Sequence, residues 1–139
     1  MSAFSDYTEG KTLDLLYNGV AFTAPATYVA LHTADPTDAG TGTEVSGGSY
    51  ARVLVNANGG ASPTWNTAVV DGIGKLVDNT HNIEFPTATG SWGTITHVAI
   101  WDAVTGGNLI QHGALDASVA IASGQIFRFN AGNLNWRCE

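Results

Sequence analysis

Charged residues, cysteine and long apolar runs are all scarce in this sequence of 139 residues. Charged residues make up 12%, about half the usual share of a soluble domain. The five Lys and Arg residues are scattered singly, and twelve Asp and Glu residues bring the net charge to −7. A nucleic-acid binder needs a concentrated cationic face, so we expect no nucleic-acid partner. No apolar run approaches the roughly 20 residues that span a bilayer, so we expect no membrane insertion.

The single cysteine, Cys138, excludes an intrachain disulfide and a thiolate metal site. We interpret it as a free thiol near a terminus, with an intermolecular disulfide between subunits of an assembly as the alternative. The opening segment, MSAFSDYTEGK, lacks the basic start and apolar centre of a signal peptide, which predicts synthesis in the cytoplasm.

Glycine and small polar residues take the place of the missing charges. The chain holds seventeen glycines, yet its hydrophobic fraction is 44%, so a chain of this length can bury a real core. It shows no internal repeat and no break in composition, which indicates a single domain over residues 1–139. A weakly charged surface repels its neighbours little, so we expect a homo-oligomer or a place in a larger assembly.

Helical signals are confined to the start of the chain. Asp6 and Glu9 have the D-x-x-E spacing of a capping box, and Asn18-Gly19 is a natural stop. The spacing predicts a helix over residues 5–18, with its apolar side against the rest of the chain or against a neighbour. The candidate interface residues on this helix are Tyr7, Leu13, Leu16 and Tyr17.

The rest of the chain has the alternation and turn chemistry of short strands. Segment 95–102 is the strongest, and because both of its faces carry apolar residues it should be a central strand. The pattern predicts a mainly β fold, a jelly-roll-like antiparallel β-sandwich over residues 27–136. The predicted strands are 27–33, 50–55, 65–70, 75–77, 82–85, 95–102, 108–113, 115–121, 125–130 and 133–136.

Catalytic and metal-binding patterns are missing. The four histidines lie outside the close H-x-H or H-x-x-x-H spacing of familiar metal sites. Asp35 and Asp38 lie in a DPTDAGTG segment that lacks the further ligands of a calcium loop, so we interpret them as turn residues. There is no G-x-S-x-G elbow and no Cys–His pairing signal. We expect a non-enzymatic protein without cofactor or metal.

Tryptophan is frequent, with four residues in the chain. Trp101 belongs to the strongest strand and should lie in the core. Trp92 sits between Ser91 and Gly93 in a predicted loop, where it either packs onto the core or remains partly exposed. An exposed tryptophan can stack on a sugar or anchor a protein interface. We therefore retain Trp92 as a possible interface or glycan contact.

A resemblance to a known family covers residues 5–134. It is carried by LYNGVAFTAPATYVALHTADPTDAGTGTEVSGGSYAR, by SWGTITHVAIWDAVTGGNLIQHGAL and by GQIFRFNAGNL. These blocks are similar to a family of small phage proteins commonly labelled tail fibre proteins. The resemblance brings no catalytic motif.

The resemblance implies a structural protein on the exterior of a phage virion, synthesised in the cytoplasm of the bacterial host. The chain has neither the length nor the shaft repeat of a free-standing fibre. We therefore expect first a small capsid decoration (cement) subunit, with a trimer favoured and the major capsid protein as partner. The alternative is a tail fibre or tail adaptor module that binds a host receptor or glycan and contacts tail proteins. Either would dock through edge strands and the N-terminal helix.

Overall fold

The computed structural model describes residues 2–138, and these form one helix and ten strands. The helix, α1, spans Asp6–Asn18. In chain order the strands are β1 (Ser2–Phe4), β2 (Thr27–His32), β3 (Val53–Val55), β4 (Val69–Val70), β5 (Lys75–Asp78), β6 (Ile83–Glu84), β7 (Gly93–Trp101), β8 (Leu109–Ile121), β9 (Arg128–Phe129) and β10 (Asn135–Cys138). The predicted fold class, mainly β with one N-terminal helix, is confirmed.

The strands form three antiparallel sheets. The largest has the order β1-β8-β7-β2-β3, and the others have the orders β10-β5-β4 and β6-β9. β7 lies between β8 and β2, which confirms that segment 95–102 is central. Because an inner strand has sheet neighbours on both edges and cover on its faces, it needs the two apolar faces seen in the sequence.

One hydrophobic core draws side chains from all three sheets. Leu31 of β2, Ile95 of β7 and Ile83 of β6 are fully buried. Phe127 packs edge-to-face against Phe129, with ring centroids 5.0 Å apart. Each such side chain contributes about 1.5–3 kcal/mol by leaving water. The layer facing the five-stranded sheet is therefore divided between a three-stranded and a two-stranded sheet.

The largest departure from the predicted strands is β8. We expected two strands, 108–113 and 115–121, separated at Gly113, but the chain continues as a single strand of 13 residues. The pairing of β7 with β8 shifts between Ile95 and His97, so an irregularity in the ladder replaces the expected break. Gly113 itself is paired in register with Val98 and with Ser2, and the irregularity lies between Ala114 and Val119. The sequence pattern misplaced this boundary because a strand can continue through such an irregularity.

Two features at the start of the chain also differ from the prediction. β1 pairs with β8 and was not predicted, because three residues are too few to show alternation. The helix cap is Ser5 and not Asp6: Ser5 has extended backbone and its hydroxyl accepts a hydrogen bond from the Thr8 N–H at 3.2 Å. Asp6 lies inside the first turn. The predicted stop is confirmed, since Gly19 adopts the left-handed conformation (φ 65°).

A buried guanidinium joins the loop 33–52 to the turn between β7 and β8. Arg52 contacts both carboxylate oxygens of Glu44, at 2.8 and 2.7 Å. It also donates to the carbonyls of Ala103 and Gly106, at 2.7 and 2.8 Å. The Arg52 Cζ atom lies 4.6 Å from the ring centroid of Trp101, so the cation packs over the face of the indole. Trp101 itself is only partly buried. We call these five residues the Arg52 cluster.

His32 lies next to this cluster and is fully buried. Burial disfavours the imidazolium and lowers the pKa of His32 to about 4, against the opposing charge of Glu44. Burial alone would raise the pKa of Glu44, but its hydrogen bonds to Arg52 and Tyr50, together with the Arg52 charge, lower it overall. The Tyr50 hydroxyl donates to Glu44 Oε1 at 2.9 Å, and burial raises the Tyr50 pKa.

Replacing Glu44 should be costly, because it leaves the Arg52 guanidinium, whose side chain is 5% exposed, without its counter-charge. We expect Glu44→Ala to lower the free energy of unfolding by about 3 kcal/mol, measured by urea denaturation at neutral pH. Glu84→Ala is the matched control, because the Glu84–Arg128 pair is half exposed, and it should cost less than about 1 kcal/mol. Equal losses in the two variants would contradict the prediction.

Acid should weaken the fold in two separate ranges. The unfolded chain protonates His32 near pH 6.5, whereas the folded protein does so only near pH 4. The free energy of unfolding should therefore fall by about 3 kcal/mol across this interval and lose nothing further from His32 below it. Glu44 adds a second loss below about pH 4.5, since its pKa is lowered in the folded state.

Denaturant titrations between pH 8 and pH 4 measure this dependence. His32→Gln keeps an acceptor for the Trp101 indole N–H but removes the titrating group. We expect this variant to have a nearly flat stability profile between pH 6.5 and pH 4.5. An unchanged slope in the variant would show that another group is responsible.

Candidate interaction surface

The first two turns of α1 are held to the sheet by hydrogen bonds rather than by apolar packing. The Ser5 N–H donates to the carbonyl of Ile110 at 3.0 Å, and the Thr8 hydroxyl donates to the same carbonyl at 2.8 Å. The Asp6 N–H donates to the carbonyl of Asp38 at 3.1 Å. Thr8 is the buried residue of the helix. The helix is therefore fixed at its N-terminal end.

The loop 33–52, whose Asp38 carbonyl accepts the Asp6 N–H, also contacts β8 through its side chains. His112 Nε2 lies 2.8 Å from Asp38 Oδ1, and His112 Nδ1 lies 3.5 Å from Asp35 Oδ1. Asp35 Oδ1 also accepts from the Thr37 N–H at 2.9 Å, as expected for an aspartate-capped turn. Within residues 2–138, no three His, Cys, Asp or Glu side chains are grouped so that they could hold a metal ion.

The second half of α1 carries large apolar side chains that the rest of the chain does not cover. Leu13, Leu16 and Tyr17 follow the i, i+3, i+4 spacing of one helix face, and Val20 lies just past the left-handed Gly19 that ends the helix. The exposed fractions are 56% for Leu13, 68% for Leu16, 79% for Tyr17 and 47% for Val20. We call these four residues the apolar helix surface. They do not pack against the sheets, so the expectation that this side of the helix packs against the rest of the chain is wrong. A neighbouring molecule as its contact stays a prediction.

Tyr7 differs from the other three predicted interface residues. It is half-buried and packs edge-to-face against Phe22, with ring centroids 6.3 Å apart. Lys11 lies 5.6 Å from the centre of the same ring. The segment after the helix thus returns to its first turn at Tyr7. Sequence reasoning missed Val20, because it lies beyond the helix end at Gly19, where the helical spacing no longer applies.

Trp92 is not accessible as a contact for a glycan or a partner. It is 4% exposed, its indole N–H donates to the carbonyl of Gly48 at 2.9 Å, and its ring packs edge-to-face against Tyr50. The alternative of packing onto the core therefore holds for this residue. The SWG sequence around Trp92 predicted a loop position with partial exposure as one alternative. The ring is buried because another segment, the loop 33–52, folds over it.

Cys138 is exposed at the end of β10, opposite Lys75 of β5. Its state as a free thiol or as an intermolecular disulfide remains a prediction.

The described chain thus combines a β structure with one helix that is hydrogen-bonded at its N-terminal end and exposes apolar side chains in its second half. The family model described as podophage GP4 fiber I protein gp80 matches residues 3–137. The chain therefore belongs to this family of phage fibre proteins, and the resemblance drawn from the sequence is confirmed. The family identifies it as a phage structural protein and a virion component.

No curated protein matches the chain. Across residues 2–138, the helix is too short and too polar to cross a bilayer.

The apolar helix surface should contribute nothing to the stability of the isolated chain. We expect Leu16→Ser and Tyr17→Ser each to change the free energy of unfolding by less than about 0.5 kcal/mol, because both side chains are already in water. Leu31→Ala, at a fully buried position, should cost about 2–5 kcal/mol in the same urea titration. A loss above about 1 kcal/mol at Leu16 or Tyr17 would show that the helix packs against its own chain.

Proposed function

We propose that this protein is a non-enzymatic module of a phage tail fibre or tail adaptor, on the exterior of the virion, which docks through the apolar helix surface. The observation that carries the proposal is the exposure of Leu13, Leu16 and Tyr17 on a helix whose N-terminal end is fixed to the sheet. The family match supports a fibre in preference to the capsid decoration role expected first.

The helix is suited to docking because it is already ordered before a partner arrives. Ser5 caps its first turn, and the Gly19 N–H donates to the carbonyl of Asp14 at its end. A helix that needs no folding on binding loses less entropy, so more of the contact energy appears as affinity. Burying each exposed leucine contributes about 1.5–3 kcal/mol.

The partner that fits this surface is a groove on a tail protein of the same virion, or on further copies of this chain. An amphipathic helix laid into an apolar groove is a recurrent mode of recognition, with anchors at i, i+3, i+4 and i+7. The four side chains of the apolar helix surface are uncharged. Apolar contact therefore governs the proposed attachment.

The non-enzymatic part of the proposal is supported by the Arg52 cluster. A reactive acid or base needs a free hydrogen-bonding position toward a substrate. Here the Arg52 guanidinium is occupied by Glu44 and by two backbone carbonyls, and the Tyr50 hydroxyl is occupied by Glu44 and the Leu31 N–H. These contacts hold the fold together, and they occupy the Arg52 guanidinium and the Tyr50 hydroxyl with partners inside the protein.

Incorporation into particles tests the proposal. A phage lacking this gene is complemented with Leu16→Asp or Tyr17→Asp, and purified particles are analysed by quantitative mass spectrometry and immunogold labelling. We expect a loss of incorporation of about tenfold or more, since each 1.4 kcal/mol of docking energy corresponds to a factor of ten. Wild-type label should appear at the tail.

Val70→Asp and Ile73→Asp are matched controls, because these residues are 73% and 68% exposed but lie in or beside β4, away from α1. They should be incorporated normally. Normal incorporation of the helix variants would overturn docking through α1. Label distributed over the capsid shell, at hundreds of copies per particle, would overturn the fibre role in favour of decoration.

A further inference from the structure

A cleft of about 320 Å³ lies between the five-stranded and the three-stranded sheets. Ile100 of β7 and Gln111 of β8 form one wall, and Val77 of β5 and Trp136 of β10 form the other. The loop 57–66 forms the remaining side. This volume falls at the low end of the range of about 300–1,000 Å³ for small-ligand pockets.

Trp65 provides an aromatic surface in the cleft, and its orientation is fixed. Its indole N–H donates to the Thr27 hydroxyl at 2.9 Å, and that hydroxyl donates to the carbonyl of Val55 at 2.7 Å. The ring is half-buried. A ring whose polar edge is satisfied and whose body is partly exposed can stack on an apolar face of a ligand.

Three amide side chains line the same cleft. In each of them one end of the amide is hydrogen-bonded to the protein backbone. Asn58 donates to the carbonyl of Trp65, Asn66 accepts from a backbone N–H of β5, and Gln111 donates to a backbone carbonyl of β10. Among the described residues, the opposite ends of these amides have no partner. They offer both acceptors (Asn58 Oδ1 and Gln111 Oε1) and a donor (Asn66 Nδ2) to a ligand.

Trp136 forms part of the wall of the cleft and has an unsatisfied polar atom. Its ring is 5% exposed and lines the cleft, but its indole N–H has no acceptor in the described part of the chain. The N–H groups of Trp65, Trp92 and Trp101 all have acceptors. A buried donor without a partner costs about 1–3 kcal/mol. Because the indole nitrogen is itself buried, this N–H is not counted among the groups that a ligand in the cleft could contact.

We propose that this cleft binds a neutral carbohydrate, with a sugar ring against Trp65 and its hydroxyls on the amides of Asn58, Asn66 and Gln111. All the side chains that line the cleft are uncharged, so it offers no cation to a phosphate or carboxylate. A neutral sugar combines an apolar C–H face with many hydroxyls, which matches an aromatic ring among amides. The inference deepens the proposed function. The binding site is argued from the cleft alone, and only the assignment of the sugar to a host surface rests on the proposed function.

The test titrates the purified full chain with neutral hexoses, 6-deoxyhexoses and N-acetylhexosamines to about 100 mM, a range that detects millimolar Kd values. Uronic acids and a proline-rich peptide are added in parallel. Tryptophan fluorescence and saturation-transfer NMR report binding. We expect saturable binding of at least one neutral sugar, and no saturable binding of its uronic acid or of the peptide.

Ala57→Arg places a long side chain in the cleft from an exposed loop position, so it blocks the site without removing core atoms. It should raise the Kd by about tenfold or more. Ala61→Arg is the matched control in the same exposed loop, outside the cleft lining, and it should bind like wild type. Asn58→Ala should weaken binding by a smaller factor, because it removes one acceptor.

The outcomes separate this inference from the docking proposal. Absence of saturable binding for every neutral sugar overturns it, as do undiminished binding by Ala57→Arg, equal binding of the uronic acids, or preferential binding of the peptide. Tyr17→Asp should bind the sugar normally while failing to enter particles. If Tyr17→Asp enters particles and Ala57→Arg still loses the sugar, docking through α1 fails and the carbohydrate site stands.

Discussion

The contact on which the rest of the structure depends is the burial of the Arg52 guanidinium against Glu44, Trp101 and two backbone carbonyls. A buried charge is tolerated only when every donor has a partner. Meeting that condition fixes the loop 33–52 against the turn that joins β7 to β8. The same loop contains Asp38, which contacts His112 and accepts the first N–H of α1. The position of the helix thus follows from contacts made in the interior.

This arrangement shows that two of the few charged residues have a structural role in the interior, whereas others lie at the surface. Arg52 and Glu44 form a structural centre, whereas the pair Arg128–Glu84 lies in solvent and carries little energy. His32 remains neutral beside the centre because burial removes the water that would stabilise its charge. The buried polar contacts are therefore concentrated around Arg52, and the apolar core draws side chains from all three sheets.

Much of the fold followed from local pattern, because alternation and turn residues act over short distances. The helix, its stop at Gly19, β2 and the central β7 were predictable for that reason. β1 and the continuity of β8 depend on pairing between distant segments, which no local signal encodes. The sequence left two alternatives for Leu13, Leu16 and Tyr17, packing against the rest of the chain or against a neighbour. Only the fold shows that these side chains are not covered by their own chain. Whether Trp92 is exposed could not be predicted either, because exposure depends on which loops fold over a ring.

The attachment of α1 through the Ser5 N–H and the Thr8 hydroxyl has a consequence for how such a module diversifies. Since hydrogen bonds to β8 set the direction of the helix, and its outer half shares no core with the sheets, the sequence of that outer half is free to change. A change of partner requires new side chains on two helical turns and leaves the β structure intact. The β structure can therefore stay constant while the outer half of α1 changes, and selection can act on the two parts separately.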